Sequence, residues 1–478
     1  MQKRILSLLL AFILCLSMTM SMNASIALAA DDSADQVTGQ TYSDWALNDL
    51  MVGDTYGIYP SSWYSLDMTA PITRSQLKIL VSELRQKILK TDKIVQNVDQ
   101  IYRLDKTMSV EKVLSTLYTM LSGFEFTTDL GLQGKTASEY MKDNGIFTGA
   151  NGELALKNTC SIEQACVFAT RIITVVYDKL DAASKGFLWV TKSGGNTVYM
   201  LGSIHMASPD IYPLSNDILA AYNSADALAV ELNLFDLEGA NKVAELGVYT
   251  DGTTLKDHVS AETYQKTVEL AAKFGYPEEL ISMIKPWYIY LMFASLALTD
   301  TASTDDASSA ASLGLDYNFT ANALITGKPI LEVEGYEYQA KMLDSFSAEL
   351  EEYLLNSTID GVNDILAGNS SEGADSLDAM LQLWHDGDVE AFLKASSTAD
   401  EYPEVYSEEA SAEKALLDEF TLKLFTQRDA NMADYIDGLL KAEGSHTYFI
   451  IVGSGHYISD HSVLDILKDK GYEITQIK

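Results

Sequence analysis

The sequence predicts an α/β protein whose C-terminal domain has a central mixed sheet flanked by helices, preceded by a small, mostly α-helical domain. In the C-terminal part, short apolar runs typical of buried strands alternate with longer helical segments. In the N-terminal part, amphipathic segments follow helix-capping patterns. Two of the short apolar runs end in the same pattern, G-x-x-H, at 202–205 and 453–456. The expected domains are 38–180 and 183–478.

The first 29 residues are predicted to be a secretory signal peptide. Lys3 and Arg4 precede an apolar run at 5–16, and small residues at 27–29 offer a cleavage site. No later run reaches about 18 consecutive apolar residues, so we expect no transmembrane segment in the mature chain. The predicted location is therefore outside the cell.

The net charge of −35 argues against nucleic acid as a partner, because phosphate binding needs a basic surface. Such acidity favours solubility, and retention among cations in an extracellular matrix is the second interpretation. After removal of the signal peptide only Cys160 and Cys166 remain. The two cysteines are six residues apart at a predicted helix start, which is a poor geometry for a disulfide. Both are therefore predicted to be small apolar core residues.

Residues 38–180 contain a degenerate repeat. Gly57-Ile58 is followed 16 residues later by Thr73-x-x-Gln76, and Gly145-Ile146 is followed at the same distance by Ser161-x-x-Gln164. Each hydroxyl-to-glutamine pattern fits a capping box at a helix N-terminus. A weaker middle copy is expected to start its helix at Ser109.

The N-terminal repeat resembles S-layer homology domains in three places: Trp45-Ala46, Gly57-Ile58 and Ile72-Thr73-Arg74. The resemblance implies non-covalent attachment to a cell-wall polymer of a Gram-positive-type envelope, with Arg74 as the polymer contact. The later copies have no arginine at that position. The alternative is a small helical domain that does not bind the wall.

The C-terminal domain is expected to begin with a β-hairpin, because apolar segments at 187–190 and 197–200 flank Gly194-Gly195. The second strand is expected to end at Gly202, followed by His205. A helix at 215–223 and a strand at 225–230 then suggest a βαβ unit with a parallel pair. Glu231 would emerge at the same sheet edge as His205, where open α/β sheets bind ligands.

The remaining segments extend this pattern. Helices are predicted at 261–274 and 277–298, with Pro286 kinking or dividing the second. A third strand at 328–332 ends in Glu332. Helical stretches at 337–394 and 412–440 follow, joined by a polar connector at 400–408. A strand at 448–452 delivers the second G-x-x-H, and a helix and a strand at 472–477 close the domain.

Taken together, these segments resemble the TraB/GumN family, which includes the Tiki proteases. The matching motifs, in the family's order, are Leu201-Gly202-Ser203-Ile204-His205, Ala229-Val230-Glu231, Lys285-Pro286-Trp287, Gly314-Leu315-Asp316, the 328–332 strand, Arg428-Asp429 with Met432, and Val452-Gly453-Ser454-Gly455-His456. The resemblance implies one site holding both histidines and Glu231. For the Tiki branch it implies a divalent-metal-dependent peptidase with manganese or cobalt. In this chain Asp429 stands where an asparagine often follows the arginine.

Imidazole and carboxylate groups are good ligands for zinc, manganese, cobalt or iron. We expect His205, His456 and Glu231 to form the metal and general-base set, with the individual roles open. Arg428 would bind a substrate carboxylate or stabilise an oxyanion. Glu332 is a lower-ranked metal ligand. Further residues predicted to contact substrate are Gly202, Ser203, Gly453 and Ser454.

Three functions remain open from the sequence. The first is a wall-associated, metal-dependent peptidase or related hydrolase acting on peptides. The second is a non-catalytic surface protein that binds a peptide signal, haem or a metal in the same cleft. The third, ranked below them, is a metal-free serine hydrolase using Ser203 or Ser454. The other four histidines are expected at the surface: His258, His385, His446 and His461.

Overall fold

The structure, a computed structural model, describes residues 41–100, 102, 104, 108–148, 155–298, 304–369, 372–396 and 408–478. The predicted signal peptide and most of the polar connector at 400–408 lie outside these residues. The described chain divides into two compact units. The N-terminal unit comprises 41–184 with Pro209–Asn216, and the C-terminal unit comprises Lys185–Ser208 with Asp217–Lys478.

The N-terminal unit is mostly helical, with one small sheet in which β1 and β2 pair antiparallel. Its elements are α1 (Leu47–Thr55), α2 (Arg74–Leu89), β1 (Ile94–Asn97), α3 (Val110–Leu121), β2 (Phe124–Phe126), α4 (Ala137–Asp143) and α5 (Ile162–Leu180). The capping boxes predicted at Thr73 and Ser161 are confirmed, as is the helix start at Ser109. Cys160 and Cys166 are both buried and free, in agreement with their predicted role in the core.

The C-terminal unit is built on a sheet flanked by helices, which confirms the predicted fold class. Its elements are β3 (Phe187–Ser193), β4 (Asn196–Ser203), α6 (Asn216–Ser224), β5 (Ala227–Val230), α7 (Leu237–Leu246), α8 (Ala261–Lys273), α9 (Glu278–Ile281), α10 (Pro286–Ala294), α11 (Thr304–Ser312), α12 (Leu315–Thr326), β6 (Ile330–Glu332), α13 (Tyr336–Leu343), α14 (Ala348–Leu366), α15 (Glu372–Asp386), α16 (Val389–Ser396), α17 (Glu408–Thr421), α18 (Gln427–Lys441), β7 (Thr447–Gly453), α19 (Ser454–Ile458), α20 (Val463–Asp469) and β8 (Ile474–Ile477).

The sheet has six strands in the order β6-β5-β7-β4-β3-β8. The predicted hairpin is confirmed, because β3 and β4 pair antiparallel around Gly194-Gly195. The expected direct pairing of β4 with β5 is wrong. The late strand β7 lies between them, parallel to both, and its apolar run is fully buried there. The strand itself was predicted at 448–452, but its position between β4 and β5 depends on contacts between residues more than 200 positions apart.

Two breaks in the helices bear on the sequence predictions. Pro286 takes the first position of α10 and separates it from α9, so the proline divides the predicted helix. The predicted helix at 412–440 is interrupted by a π-helical turn at Leu422–Thr426, between α17 and α18. Such turns insert one extra residue and often lie beside functional sites. Among the described residues, none of the helices has the length and apolar character needed to cross a membrane.

Candidate functional site

Three adjacent strands end side by side at one edge of the six-stranded sheet. Ser203 of β4 is in register with Gly453 of β7, and Val230 of β5 is in register with Ile451. The residues that follow these ends include His205, Glu231 and His456. The central position of β7 therefore brings together the three residues that the sequence predicted to share a site.

Gly202 lets the segment after β7 approach β4 closely. A Cβ atom at this position would lie 2.9 Å from Ser454 Oγ and 3.2 Å from Ser454 Cα. The glycine is the penultimate residue of β4, so it does not end the strand as predicted. Ser454 Oγ donates a hydrogen bond of 2.9 Å to the Ser203 carbonyl, which joins the end of β4 to the start of α19, the helix that carries His456.

His205 is held from one side by a buried carboxylate. Its Nδ1 lies 2.5 Å from Asp316 Oδ2, the same oxygen to which Ser203 Oγ donates a hydrogen bond. The imidazole is 5% exposed, and its Nε2 makes no hydrogen bond with the described residues. The nearest ionic group to this nitrogen is Glu231, whose Oε1 lies 3.8 Å away.

His456 has the same arrangement in α19, directly after the neighbouring strand β7. Its Nδ1 lies 2.5 Å from Asp429 Oδ1, at the start of α18. The ring is fully buried, and within the described part of the chain its Nε2 also has no hydrogen-bond partner. Both histidines thus present an unpaired Nε2 and use Nδ1 for a carboxylate.

Glu231 is fully buried and receives several donors. Its Oε1 accepts a 2.6 Å hydrogen bond from the Gly453 main chain, and its Oε2 accepts from Arg428 at 2.6 Å and from Gln339 at 3.0 Å. Arg428 also bonds Glu334 at 2.8–3.1 Å through Nε and Nη2. A buried carboxylate needs such compensation, because desolvation disfavours its charge.

Burial and neighbouring charges shift the pKa values of this cluster in different directions. Burial lowers the pKa of His205, but Asp316 and Glu231 more than offset this and the net shift is upward. Burial, Arg428 and His205 hold the pKa of His456 well below its usual value. Burial raises the pKa of Glu231, although Arg428 lowers it. Burial likewise raises the pKa of Asp429 to about 8.

The chemistry of the site fits a divalent cation. A histidine whose Nδ1 bonds a carboxylate has its ring orientation fixed, with Nε2 directed at a ligand, and this is the usual arrangement around protein-bound metals. His205 Nε2 and Glu231 Oε1 lie 3.8 Å apart. Two atoms that bind the same cation through bonds of about 2.1 Å can be separated by that distance, so both could be its ligands. Across the described ranges, however, no three His, Cys, Asp or Glu side chains form a ready-made ligand cluster.

The comparison with protein families identifies the family of the C-terminal part of the chain. The profile of the TraB/PrgY/gumN family matches residues 187–476. The chain belongs to the TraB/PrgY/gumN family. The matched range covers the sheet except for the last residue of β8, together with every residue of the cluster described above.

Curated relatives match part of the chain at low identity. The chain is 20% identical to the "Metalloprotease TIKI homolog" of Amphimedon queenslandica over 323 residues, which are 62% of each chain. It is 22% identical to "Metalloprotease TIKI2" of Danio rerio over 319 residues, 60% of each chain. It is 29% identical to "Uncharacterized protein YbaP" of Escherichia coli over 32% of this chain and 54% of that protein. The matches thus span less than two thirds of these relatives' lengths. No solved structure matches the chain significantly.

Other predicted residues of this TraB/PrgY/gumN domain lie around the cluster or apart from it. Arg428 is fully buried between two carboxylates, so its predicted substrate contact stays a prediction. Glu332 is exposed at the end of β6, where it accepts a hydrogen bond from the Asn233 main chain and does not join the buried group. Ser203 and Ser454 donate to Asp316 and to a main-chain carbonyl, and not to a histidine. In the N-terminal unit, Arg74 is exposed at the start of α2.

Four residues of the cluster were given no role by the sequence reasoning: Asp316, Glu334, Gln339 and Asp429. Asp316 and Asp429 stand inside two of the motifs that indicated the family, so their places in those motifs were a usable signal. Glu334 and Gln339 carried no comparable signal. They reach the site because the chain turns at Gly335, whose φ is +80°, immediately before α13.

Proposed function

We propose that this protein is a secreted, cell-wall-associated peptidase of the TraB/PrgY/gumN family that depends on a divalent metal ion. The proposal has two supports of different kinds. The first is the distant similarity to proteins named metalloproteases. The second is the pair of buried histidines at adjacent strand ends, and this pair carries the chemical argument.

His205 and His456 are the residues that would hold the metal. Asp316 and Asp429 fix the two rings through Nδ1, so that the Nε2 atoms are available as ligands. Manganese, cobalt and zinc all accept imidazole nitrogen. When bound, such an ion acidifies a water molecule and polarises a substrate carbonyl.

Glu231 is the best-placed residue for proton transfer. Its Oε1 lies 3.8 Å from His205 Nε2 and accepts only the Gly453 main-chain hydrogen bond among the contacts described. Burial raises its pKa, which favours a carboxylate that takes up a proton during the reaction. Arg428 and Gln339 hold the other oxygen, Oε2, and thereby fix the orientation of the carboxylate. Alternatively, Glu231 is a third ligand.

The test combines metal content with peptide cleavage. Purified protein is loaded with Mn²⁺, Co²⁺ or Zn²⁺, dialysed and analysed by mass spectrometry, and then assayed on a mixed peptide library with and without chelator. We expect close to one ion per chain and cleavage that the chelator abolishes. His205→Ala and His456→Ala should lose both properties. Asp226→Asn is the control, because Asp226 lies at the opposite end of β5, where it bonds the Thr447 main chain.

The second candidate is a non-catalytic protein that sequesters a metal or a peptide. The observation that favours it is the burial of both rings, which are 5% and 0% exposed. The same experiment separates the two candidates. Binding of metal or peptide without any cleavage supports sequestration, whereas cleavage that survives the chelator and both histidine substitutions contradicts both candidates.

The N-terminal unit is the part we propose to attach the protein to the wall. Its support is the repeat pattern that resembles S-layer homology domains, together with the exposed position of Arg74. Co-sedimentation with purified cell walls carrying their secondary polymer, compared with walls stripped of it, tests this role. We expect binding only to the unstripped walls and weaker binding by Arg74→Ala. Equal sedimentation with both preparations would contradict attachment through the polymer.

A further inference from the structure

The π-helical turn at Leu422–Thr426 places an aromatic ring beside the site. Phe425 comes four residues before Asp429, and its ring centroid lies 5.6 Å from that of His456, at an angle of 48°. His456 is fully buried, whereas Phe425 is half-buried. Phe425 therefore contacts the imidazole and also reaches the surface of the unit.

A second aromatic group lies close in sequence to the other half of the cluster. Phe235 and Tyr317 pack with ring centroids 5.1 Å apart. Tyr317 directly follows Asp316, which holds His205, and Phe235 comes four residues after Glu231. Phe235 is 37% exposed. Each carboxylate that holds a histidine thus has a half-buried aromatic residue near it in the sequence: Phe425 for Asp429 and Tyr317 for Asp316.

The charges of the cluster disfavour an acidic ligand. Its buried carboxyl groups outnumber its one guanidinium, and they belong to Glu231, Asp316, Glu334 and Asp429. The guanidinium of Arg428 is already engaged by two of them. An aspartate or glutamate side chain entering here would lose its hydration beside carboxyl groups that offer it no counter-charge, which is costly.

We infer that Phe425 determines substrate specificity by contacting an aromatic or large aliphatic side chain next to the scissile bond, and that acidic side chains are rejected there. The inference rests on the proposed function in one respect, namely that the site binds peptides. A single methylene gained or lost in an apolar contact is worth roughly 10- to 200-fold in discrimination, so a difference of a whole side chain should be at least as large as the lower figure. The π-helical turn matters because it sets the direction in which Phe425 points relative to Asp429.

The experiment uses the full mature chain and a set of peptides that differ at one position, occupied by Phe, Leu, Ala or Asp. Binding is measured by fluorescence anisotropy on metal-free protein, and kcat/KM is measured after loading with Mn²⁺. The variants are Phe425→Ala and Phe425→Leu. The control is Leu422→Ala, which changes a 47% exposed residue of the same turn. Thermal unfolding and Mn²⁺ affinity are measured for every variant to verify folding and an intact cluster.

We expect the wild type to prefer the Phe and Leu peptides over the Asp peptide by about 10-fold or more. Phe425→Ala should lose most of this preference, Phe425→Leu should keep the Leu preference, and Leu422→Ala should behave as wild type. If peptides bind with this preference but are never cleaved, the inference holds and the proposed peptidase activity fails. Cleavage without preference, or a preference unchanged in both Phe425 variants, overturns the inference, as does absence of peptide binding.

Discussion

His456 Nδ1 lies 2.5 Å from Asp429 Oδ1, and both residues are almost completely buried. His205 and Asp316 repeat this relationship at the same distance. Two separate segments of chain thus supply an imidazole with one nitrogen bonded to a carboxylate and the other without a hydrogen bond to any residue that the structure describes. A hydrogen-bonded structural histidine would use both nitrogens, so this duplicated arrangement favours ligand binding.

Removing the carboxylate of Asp429, which bonds His456 Nδ1, should weaken metal binding. We expect Asp429→Ala to bind Mn²⁺ about 10- to 100-fold more weakly, because the ring of His456 loses its fixed orientation. Asp429→Asn should stay near the wild-type affinity, since an amide oxygen still accepts a hydrogen bond from Nδ1. Isothermal titration calorimetry gives the affinities. Equal affinities for Asp429→Ala and the wild type would show that this contact does not orient a ligand.

Loss of Arg428 should destabilise the fold strongly. Arg428→Met leaves Glu231 and Glu334 buried without a counter-charge, and breaking one side of a buried ion pair costs about 3–5 kcal/mol. Urea unfolding measures the free energy of unfolding. The control, Lys441→Met, removes an exposed pair with Asp437 and should cost about 0–1 kcal/mol. A loss for Arg428→Met no larger than the control would contradict the role assigned to the guanidinium.

A methyl group at Gly202 should separate β4 from the segment after β7. The added Cβ would lie 2.9 Å from Ser454 Oγ and 3.2 Å from Ser454 Cα, so Gly202→Ala should cost roughly 1–3 kcal/mol of stability and reduce Mn²⁺ affinity. Gly438→Ala serves as the control, because nothing lies within 4 Å of its Cβ position in α18. That change should stabilise the helix by about 0.5–1 kcal/mol. Similar unfolding midpoints for the two variants would argue against the close approach.

Glu351 should make the protein less stable in alkaline solution. Burial raises its pKa to about 8, assisted by Asp344 and Glu419 and opposed by Lys285 and Lys423. Between pH 4.5 and 8 the folded state therefore binds more protons at this group than the unfolded state does. The stability contribution is complete below about pH 4.5 and falls as the pH rises towards 8.

Thermal unfolding of the wild type and of Glu351→Gln at pH 5, 7 and 9 tests this assignment. A glutamine cannot ionise, so the variant should be the more stable protein at pH 9, and the difference should shrink towards pH 5. Asp364→Asn, which changes a half-buried carboxyl group on the same helix, provides the control. If the wild type and Glu351→Gln differ in thermal stability by the same amount at all three pH values, the raised pKa assigned to Glu351 is wrong.

Local patterns were sufficient for most elements of the fold. The capping boxes at Thr73 and Ser161, the hairpin around Gly194-Gly195 and the break at Pro286 all depend on residues close together in the chain. Patterns of this kind are readable because the backbone hydrogen bonds and steric limits they reflect are local. The π-helical turn at Leu422–Thr426 escaped prediction, since nothing in its sequence distinguishes it from a continuous α-helix.

The site was only partly predictable. His205, Glu231 and His456 follow buried strands, and that placement was enough to propose that they share one edge of the sheet. The sequence could not show which of Glu332 and Glu334 joins the buried cluster. Glu332 ends β6 at the surface, whereas the turn at Gly335 directs Glu334 into the ion pair with Arg428.

The sequence by itself determined that short buried strands deliver two histidines and a glutamate at their ends. Only the tertiary structure decided that β7 lies between β4 and β5, and that Asp316 and Asp429 each hold one imidazole. The physical reason is that strand order and carboxylate pairing are set by burial and electrostatics among segments far apart in the chain, and no local pattern records those contacts.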